Sequence, residues 1–248
     1  MNSSFSPQLL NAVRTAQHVA VLTGAGISAE SGVPTFREAQ TGLWAQYDPQ
    51  ELATPQAFHR NPKLVWEWYA WRRELVANAA PNAGHLALVE LESKVPQFTL
   101  ITQNVDGLHA RAGSQNVIEL HGNIMRTKCF DNGRFVQSWP ETEDVPPRCP
   151  HCGGMLRPDV VWFGESLPVD ALETAVAAAQ SCDIFLSIGT SSFVQPAASL
   201  PIEAIQAGAI TVEINPQTTP LTSHVDYALT GAAGSTLPAL VAAAFLLQ

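Results

Sequence analysis

Apolar positions along this chain fall into two kinds of segment that take turns. SPQLLNAVRTAQ, NAGHLALVELESKV, DGLHARAG, VDALETAVAAAQ and PAASLPIEAIQAG carry helical patterning. Each leads into a short apolar run: HVAVLTG, QFTLITQ, NVIELHG, IFLSIGT and AITVEIN. The runs are β-rich and lack clean alternation, as expected of strands covered on both faces of a parallel sheet. Helix and strand repeating in this order predict an α/β fold built on a Rossmann-like, doubly wound parallel sheet. At the start, Ser6-Pro7 predicts a capped helix with proline at its first position.

Two segments break the rhythm. Residues 35–82 contain no strand pair and read as a loop followed by helices. Residues 125–157 include CFDNGRFVQSWPETEDVPPRCPHCGG, rich in turn formers and cysteine. The two inserts are expected to pack together as a smaller lobe. The larger lobe then comprises about 1–34, 83–124 and 158–248, within one domain spanning 1–248.

Composition narrows the partners. The formal net charge of −9 argues against a general nucleic-acid binder held by phosphate contacts. No apolar run is long enough to span a bilayer, and the start lacks a basic region followed by an apolar core. A cytoplasmic protein, with no membrane partner, is the expectation, and a monomer is the default. Of four cysteines, Cys129, Cys149 and Cys152 lie in one short region, which favours a metal cluster over a disulfide framework. Cys182, at a helix-to-strand junction, is expected to be a buried apolar residue.

Chemistry enters directly after the first strand. Gly24-Ala25-Gly26 and Ala29 form a glycine fingerprint that permits a tight turn and close approach to a pyrophosphate, with a helix N-terminus expected to follow. No acidic residue ends a second strand at the usual distance, which disfavours an ordinary dehydrogenase.

The longer stretch GAGISAESGVPTFR resembles the NAD-binding signature of the sirtuin family of protein deacylases. TQNVDGLH, IELHGN, RPDVVWFGE, IGTSS and VEIN follow in the family's order, so the resemblance covers nearly the whole chain. It implies that NAD is consumed as co-substrate by a single catalytic domain acting on acylated lysine segments of proteins. Gln103, Asn104 and Asp106 then match the polar residues around nicotinamide and ribose, and Phe36, Arg37 and Trp44 the cofactor loop. Gly189, Thr190 and Ser191 match contacts to ribose and phosphates, Asn215 an adenosine-ribose contact, and Ala233 the C-terminal loop beside adenine. His121 matches the catalytic histidine, which takes a proton from a ribose hydroxyl after the acyl oxygen displaces nicotinamide. Val160, Val161, Phe163, Gly164 and Glu165 match the strand-like segment against which the substrate backbone lies.

The metal module departs from the family pattern of two Cys-x-x-Cys pairs around a structural zinc. Cys149 and Cys152 form one intact pair, but the other reads Cys129-Phe-Asp-Asn132. Asp131 or His151 substitutes after rearrangement, the site binds zinc weakly, or zinc is absent. In the last case Phe130, Phe135 and Trp139 have to hold the module together.

The acyl group is suggested by WEWYAWRREL. Tyr69 and Arg72, three apart, share a helix face. The pair resembles the Tyr-x-x-Arg signature of a sirtuin branch that removes succinyl and malonyl groups, with Ala53 matching the alanine that widens the pocket. A guanidinium grips a carboxylate through two parallel hydrogen bonds and a phenol adds a third donor. Without that context Tyr69 packs and Arg72 snorkels along the helix. Removal of succinyl, malonyl and acetyl groups is therefore the expectation, with protein ADP-ribosylation or a silent NAD-binding module as the alternatives.

Overall fold

The computed structural model describes residues 5–34, 48, 52–141 and 143–245. Among them the chain runs α1 (Pro7–Thr15), β1 (His18–Thr23), α2 (Pro55–Arg60), α3 (Pro62–Asn78), α4 (Ala83–Lys94), β2 (Gln97–Thr102), α5 (Leu108–Ala112) and β3 (Ile118–Glu119). It continues through β4 (Gly122–Cys129), β5 (Leu156–Val160), α6 (Val169–Ser181), β6 (Ile184–Ile188), α7 (Leu200–Ala207), β7 (Ile210–Asn215), β8 (Tyr227–Thr230) and α8 (Ala233–Phe245). The Ser6 hydroxyl accepts the Leu9 N–H and caps α1 as its sequence predicts.

Six strands make one parallel sheet in the order β3-β2-β1-β6-β7-β8, the doubly wound arrangement. Every residue of β1 and β6 is buried, which is why neither strand alternates. Pleating nevertheless sorts their side chains. Val19 and Val21 join Leu9 and Val13 of α1, Leu88 and Leu91 of α4, and Leu237 and Val241 of α8 on one face. Ala20 and Leu22 join Ala175 and Ala179 of α6 and Leu200 and Ala204 of α7 on the other.

From β1 the chain winds outward to β2 on one side and later to β6 on the other. The carboxyl ends of β1 and β6 therefore flank the crevice at which such sheets bind ligands. Beside it, α2 and α3 pack against the antiparallel pair β4–β5 around Phe58, Val65, Trp68, Tyr69, Ile124 and Trp162. Among the described residues no helix is long and apolar enough to cross a membrane.

Four expectations change. After Gly24 the chain forms two single 3-10 turns, Ala25–Ile27 and Ala29–Ser31, instead of an α-helix; Gly32, left-handed at φ +77°, ends the second, and Pro34 follows closely. Ala233 begins α8 and does not lie in a loop, because Leu237, Leu240, Val241 and Ala244 make an apolar face that outweighs the Gly, Ser, Thr and Pro238 punctuation. β4 and β5 run through both edges of the cysteine region, which reads as turns in sequence. Only Val160 of the expected substrate strand lies in a strand. Val161 still donates to the His121 carbonyl at 2.9 Å, and the Glu165 N–H then closes a turn onto the Trp162 carbonyl at 3.0 Å.

Candidate active site

The glycine loop and the turn after β6 touch backbone to backbone. Gly24 N–H donates to the Ile188 carbonyl at 3.0 Å and Gly26 N–H to the Gly189 carbonyl at 2.8 Å. A Cβ on Gly24 would lie 2.7 Å from Gly189 O, and one on Gly26 would lie 2.7 Å from Gly189 Cα. Gly189 is itself left-handed at φ +61°. These three glycines are thus required by the approach of two loops of this chain to each other. Thr190 locks the joint: its hydroxyl accepts from Gln103 Nε2 at 3.2 Å and its carbonyl from Asn215 Nδ2 at 2.7 Å. Ser191 beside it is exposed, whereas Ala233 is buried with its backbone against Gly84. The exposed Ala29 turn is tied to α8 by Glu30 Oε2, which accepts the Gly234 N–H at 2.7 Å.

Under this joint lies a polar network that sequence reading catches only in part. Asn104 Nδ2 donates to the Gly24 carbonyl at 3.1 Å and to Ser28 Oγ at 3.2 Å. Ser28 Oγ donates to Asp106 Oδ2 at 2.7 Å, while Asp106 Oδ1 accepts the Leu108 N–H at the start of α5. His85 accepts the Asn82 N–H on Nδ1 at 3.3 Å, so its proton sits on Nε2, facing Ser28 Oγ at 3.5 Å. Ser28 and His85 are absent from the sequence-predicted set. Nothing local marks them, since 57 residues separate them in the chain.

His109 lies behind His85, their ring centroids 4.9 Å apart. Thr23 Oγ1 donates to Thr102 Oγ1 at 2.8 Å, so His109 Nε2 must be the donor in its 2.9 Å contact with Thr23. Its Nδ1 is buried without a partner. Burial, aided by His85, lowers the His109 pKa to about 3. An unfolded chain takes up this proton near pH 6.5 and the native one near 3, so stability is lost as pH falls from 6.5 toward 3. Between pH 6.5 and pH 5 this one group is expected to cost about 2 kcal/mol. Urea unfolding across that range measures it, with His109→Gln expected to show the shallower pH slope; parallel slopes would refute the assignment.

His121 follows β3 at the mouth of the crevice, half-buried. Its Nδ1 donates to the Gln103 carbonyl at 2.9 Å, which leaves Nε2 as a bare acceptor. Burial lowers its pKa, opposed by that backbone bond, so the ring is neutral at pH 7.

On α3, Tyr69 and Arg72 sit among aromatic rings. Tyr69 is buried, and its oxygen accepts from Trp162 Nε1 at 2.9 Å. Burial pushes the phenol up to about 12, so it keeps its proton. The Arg72 guanidinium lies 4.9 Å from the Trp68 ring centroid and 5.8 Å from that of Tyr69. Burial depresses its pKa, while Tyr69 and then Asp106 support the charge. Arg73 behaves differently: it donates to the Ile124 and Arg126 carbonyls at 2.6 and 2.9 Å and to Thr127 Oγ1 at 3.0 Å, riveting α3 to β4.

Residues 24–196 match the Sir2 family. The chain belongs to that family. An NAD-dependent protein deacylase of Aquifex aeolicus is 56% identical over 211 residues, 84% of this chain and 87% of that relative. A solved Sir2 homologue–NAD complex superposes with a TM-score of 0.90 at 49% identity, covering 98% of this chain and 94% of that one. A Sir2–p53 peptide–NAD+ structure gives 0.80 at 30% identity over 94% and 96%.

Within this sirtuin fold the turn carrying Phe163, Gly164 and Glu165 is held from two sides. Phe163 N–H donates to the Ala53 carbonyl at 2.9 Å. Arg157 grips both Glu165 oxygens and lies 3.3 Å from the Trp162 ring centroid. Burial disfavours the Glu165 charge, but the Arg157 and Trp162 N–H bonds outweigh it and hold the carboxyl below its usual range. The cofactor-loop residues expected from sequence, Phe36, Arg37 and Trp44, lie outside the described residues.

Cys129, Cys149 and Cys152 do come together, their sulfurs all within 4.8 Å of one another, which fits a thiolate-bound metal such as zinc. Cys182 is apart and buried at the end of α6. Of the aromatics expected to hold this module, Phe130 stacks on Phe58 at 4.9 Å and Trp139 meets Trp66 at 6.3 Å. Phe135 does not contribute in that way, being 63% exposed with Arg126 against its ring.

Proposed function

We infer that this chain is an NAD-dependent protein-lysine deacylase that removes succinyl and malonyl as well as acetyl groups, releasing nicotinamide and O-acyl-ADP-ribose. The observation that carries the deacylase reading is His121, held by Gln103 so that neutral Nε2 is left as proton acceptor beside the β1–β6 crevice. NAD, as consumed co-substrate, supplies the bond to nicotinamide and the ribose carbon exposed by its departure. Gly24, Ala25, Gly26, Gln103, Gly189, Thr190, Ser191 and Asn215 line the crevice loops that receive it, with Ala29 and Ala233 at the α8 edge. Asn104 and Asp106 sit beneath, joined through Ser28. The lysine-bearing segment adds along Val160 and Val161 and against the Phe163–Glu165 turn.

The acyl preference rests on Tyr69 and Arg72. Because Trp162 already occupies a lone pair on the Tyr69 oxygen, the phenol proton is directed elsewhere, and the guanidinium shares its face of α3. Two donors of this kind, one charged, suit an acyl chain that ends in a carboxylate.

Matched acetyl- and succinyl-lysine peptides incubated with NAD test both levels. Nicotinamide release accompanied by loss of the acyl mass is expected for each peptide. Failure with both removes the deacylase reading, and failure with succinyl alone removes only the acidic pocket. Arg73→Ala serves as a neighbour control. It is expected to lower stability by about 2–3 kcal/mol in urea unfolding, through the carbonyls it leaves unpaired, without altering the succinyl-to-acetyl ratio.

A further inference from the structure

The cysteine module is built from two turns of the same design. In the first, Cys129-Phe130-Asp131-Asn132-Gly133, Gly133 N–H closes onto the Cys129 carbonyl at 3.0 Å. In the second, Cys149-Pro150-His151-Cys152-Gly153, Gly153 N–H closes onto the Cys149 carbonyl at 2.9 Å. Both glycines are left-handed, at φ +70° and +76°. Asn132 therefore stands where Cys152 stands in the other turn, and its side chain does face the cluster: Nδ2 lies 3.3 Å from Cys152 Sγ.

The amide does not fill the place of a fourth ligand. Its oxygen accepts the Arg134 N–H at 3.0 Å, so Nδ2, which has no lone pair to give a metal, is the end that meets sulfur. Turning the amide over would lose that bond and set an NH₂ against an N–H. Asp131 does not replace it either. Its carboxylate lies over the Gly154 backbone, where an added Cβ would come within 2.2 Å of Oδ2. His151 is exposed and stands outside the group of three sulfurs. Cys129 and Cys149 are buried, whereas Cys152 and Asn132 are exposed, so the unfilled corner faces solvent.

We propose that Cys129, Cys149 and Cys152 form a three-thiolate zinc site whose fourth coordination position, at Asn132, is open and takes water or a small exogenous donor such as an imidazole. Three protein ligands with an exchangeable fourth distinguish it from a closed structural site, where four protein ligands exclude outside donors. The Asn132 N–H on Cys152 orients that thiolate from outside the coordination shell. Binding displaces the thiol protons to solvent and changes no oxidation state. The site is independent of the deacylase reading, since its assignment uses none of the crevice residues.

Cobalt(II) substituted into the full-length chain under reducing conditions reports this directly. One equivalent is expected to bind with tetrahedral visible bands and thiolate-to-cobalt absorption weaker than in Asn132→Cys, which supplies a fourth sulfur. Added imidazole is expected to shift the wild-type visible bands and to leave those of N132C unchanged. His151→Gln and Asp131→Asn are expected to match the wild-type spectrum. These two variants and the wild-type imidazole titration decide the matter even if N132C does not fold. The proposal is overturned by a wild-type spectrum indifferent to imidazole, by a changed spectrum in H151Q or D131N, or by absence of stoichiometric cobalt binding.

Discussion

Replacement of His121 by Asn is expected to lower kcat/KM for an acetyl-lysine peptide by about 10²–10⁴-fold, the range general-base catalysis contributes. The substitution is chosen for what it preserves. An Asn amide can still donate to the Gln103 carbonyl that His121 Nδ1 now reaches at 2.9 Å. What it lacks is a nitrogen that accepts a proton, so binding and folding are expected to survive while the reaction stops. Urea unfolding should shift by no more than about 0.5 kcal/mol, because the side chain is half-buried and its one hydrogen bond is replaceable. The pH profile gives a second reading. Burial lowers the His121 pKa below its ordinary 6.5, so the ring is a competent base across neutral pH and is lost only on acidification. The acid limb of kcat/KM against pH should therefore fall below pH 6.5. A limb centred at or above pH 7, or a loss of activity in H121N that tracks unfolding, would contradict the role given to this residue.

Arg72→Met is the second large effect. Met keeps the length and apolar stem that pack beside Trp68 and Tyr69 but removes the fork of donors. Hydrogen bonds to charged groups each contribute about 1.5–3 kcal/mol, so losing a bidentate pair is expected to cut succinyl-lysine turnover by about 10²–10⁴-fold. Acetyl-lysine offers no carboxylate to that fork, and its kcat/KM should change by no more than a few-fold. Tyr69→Phe should reduce desuccinylation less, by about tenfold, since it removes one neutral donor and leaves the Trp162 N–H without its acceptor. The phenol stays protonated because burial holds its pKa near 12, so the preference should not change between pH 7 and pH 9. If R72M slows both peptides equally, Arg72 supports the lobe and does not select the acyl chain.

These expectations draw unequally on sequence and on structure. The parallel sheet was legible because strands covered on both faces must be apolar throughout, and β1 and β6 are buried at every position. The family was legible for a different reason: its motifs are short, ordered and contiguous. Arg72 and Arg73, adjacent in sequence, were separable in advance, since a step of one residue turns about 100° round a helix. The structure bears this out by giving Arg73 to the β4 carbonyls and Arg72 to the aromatic face.

Where local signals conflicted with packing, packing prevailed. Gly, Ser, Thr and Pro238 punctuate the C-terminal segment, yet α8 forms because its apolar face completes the layer with α1 and α4. The helix expected after Gly24 is replaced by two 3-10 turns. There Ser28 turns inward to Asp106, whose other oxygen accepts the Leu108 N–H at the start of α5.

By itself the sequence determined the sheet, the family and the positions of His121, Tyr69, Arg72 and the three clustered cysteines, because each is written in a periodicity or a contiguous motif. Tertiary structure alone decided which nitrogen of His121 is left to accept a proton, that Ser28 and His85 join Asp106, and that Asn132 turns its NH₂ and not its oxygen toward sulfur. Those outcomes depend on partners far apart in the chain or on the direction of one hydrogen bond, and neither leaves a trace in residue spacing.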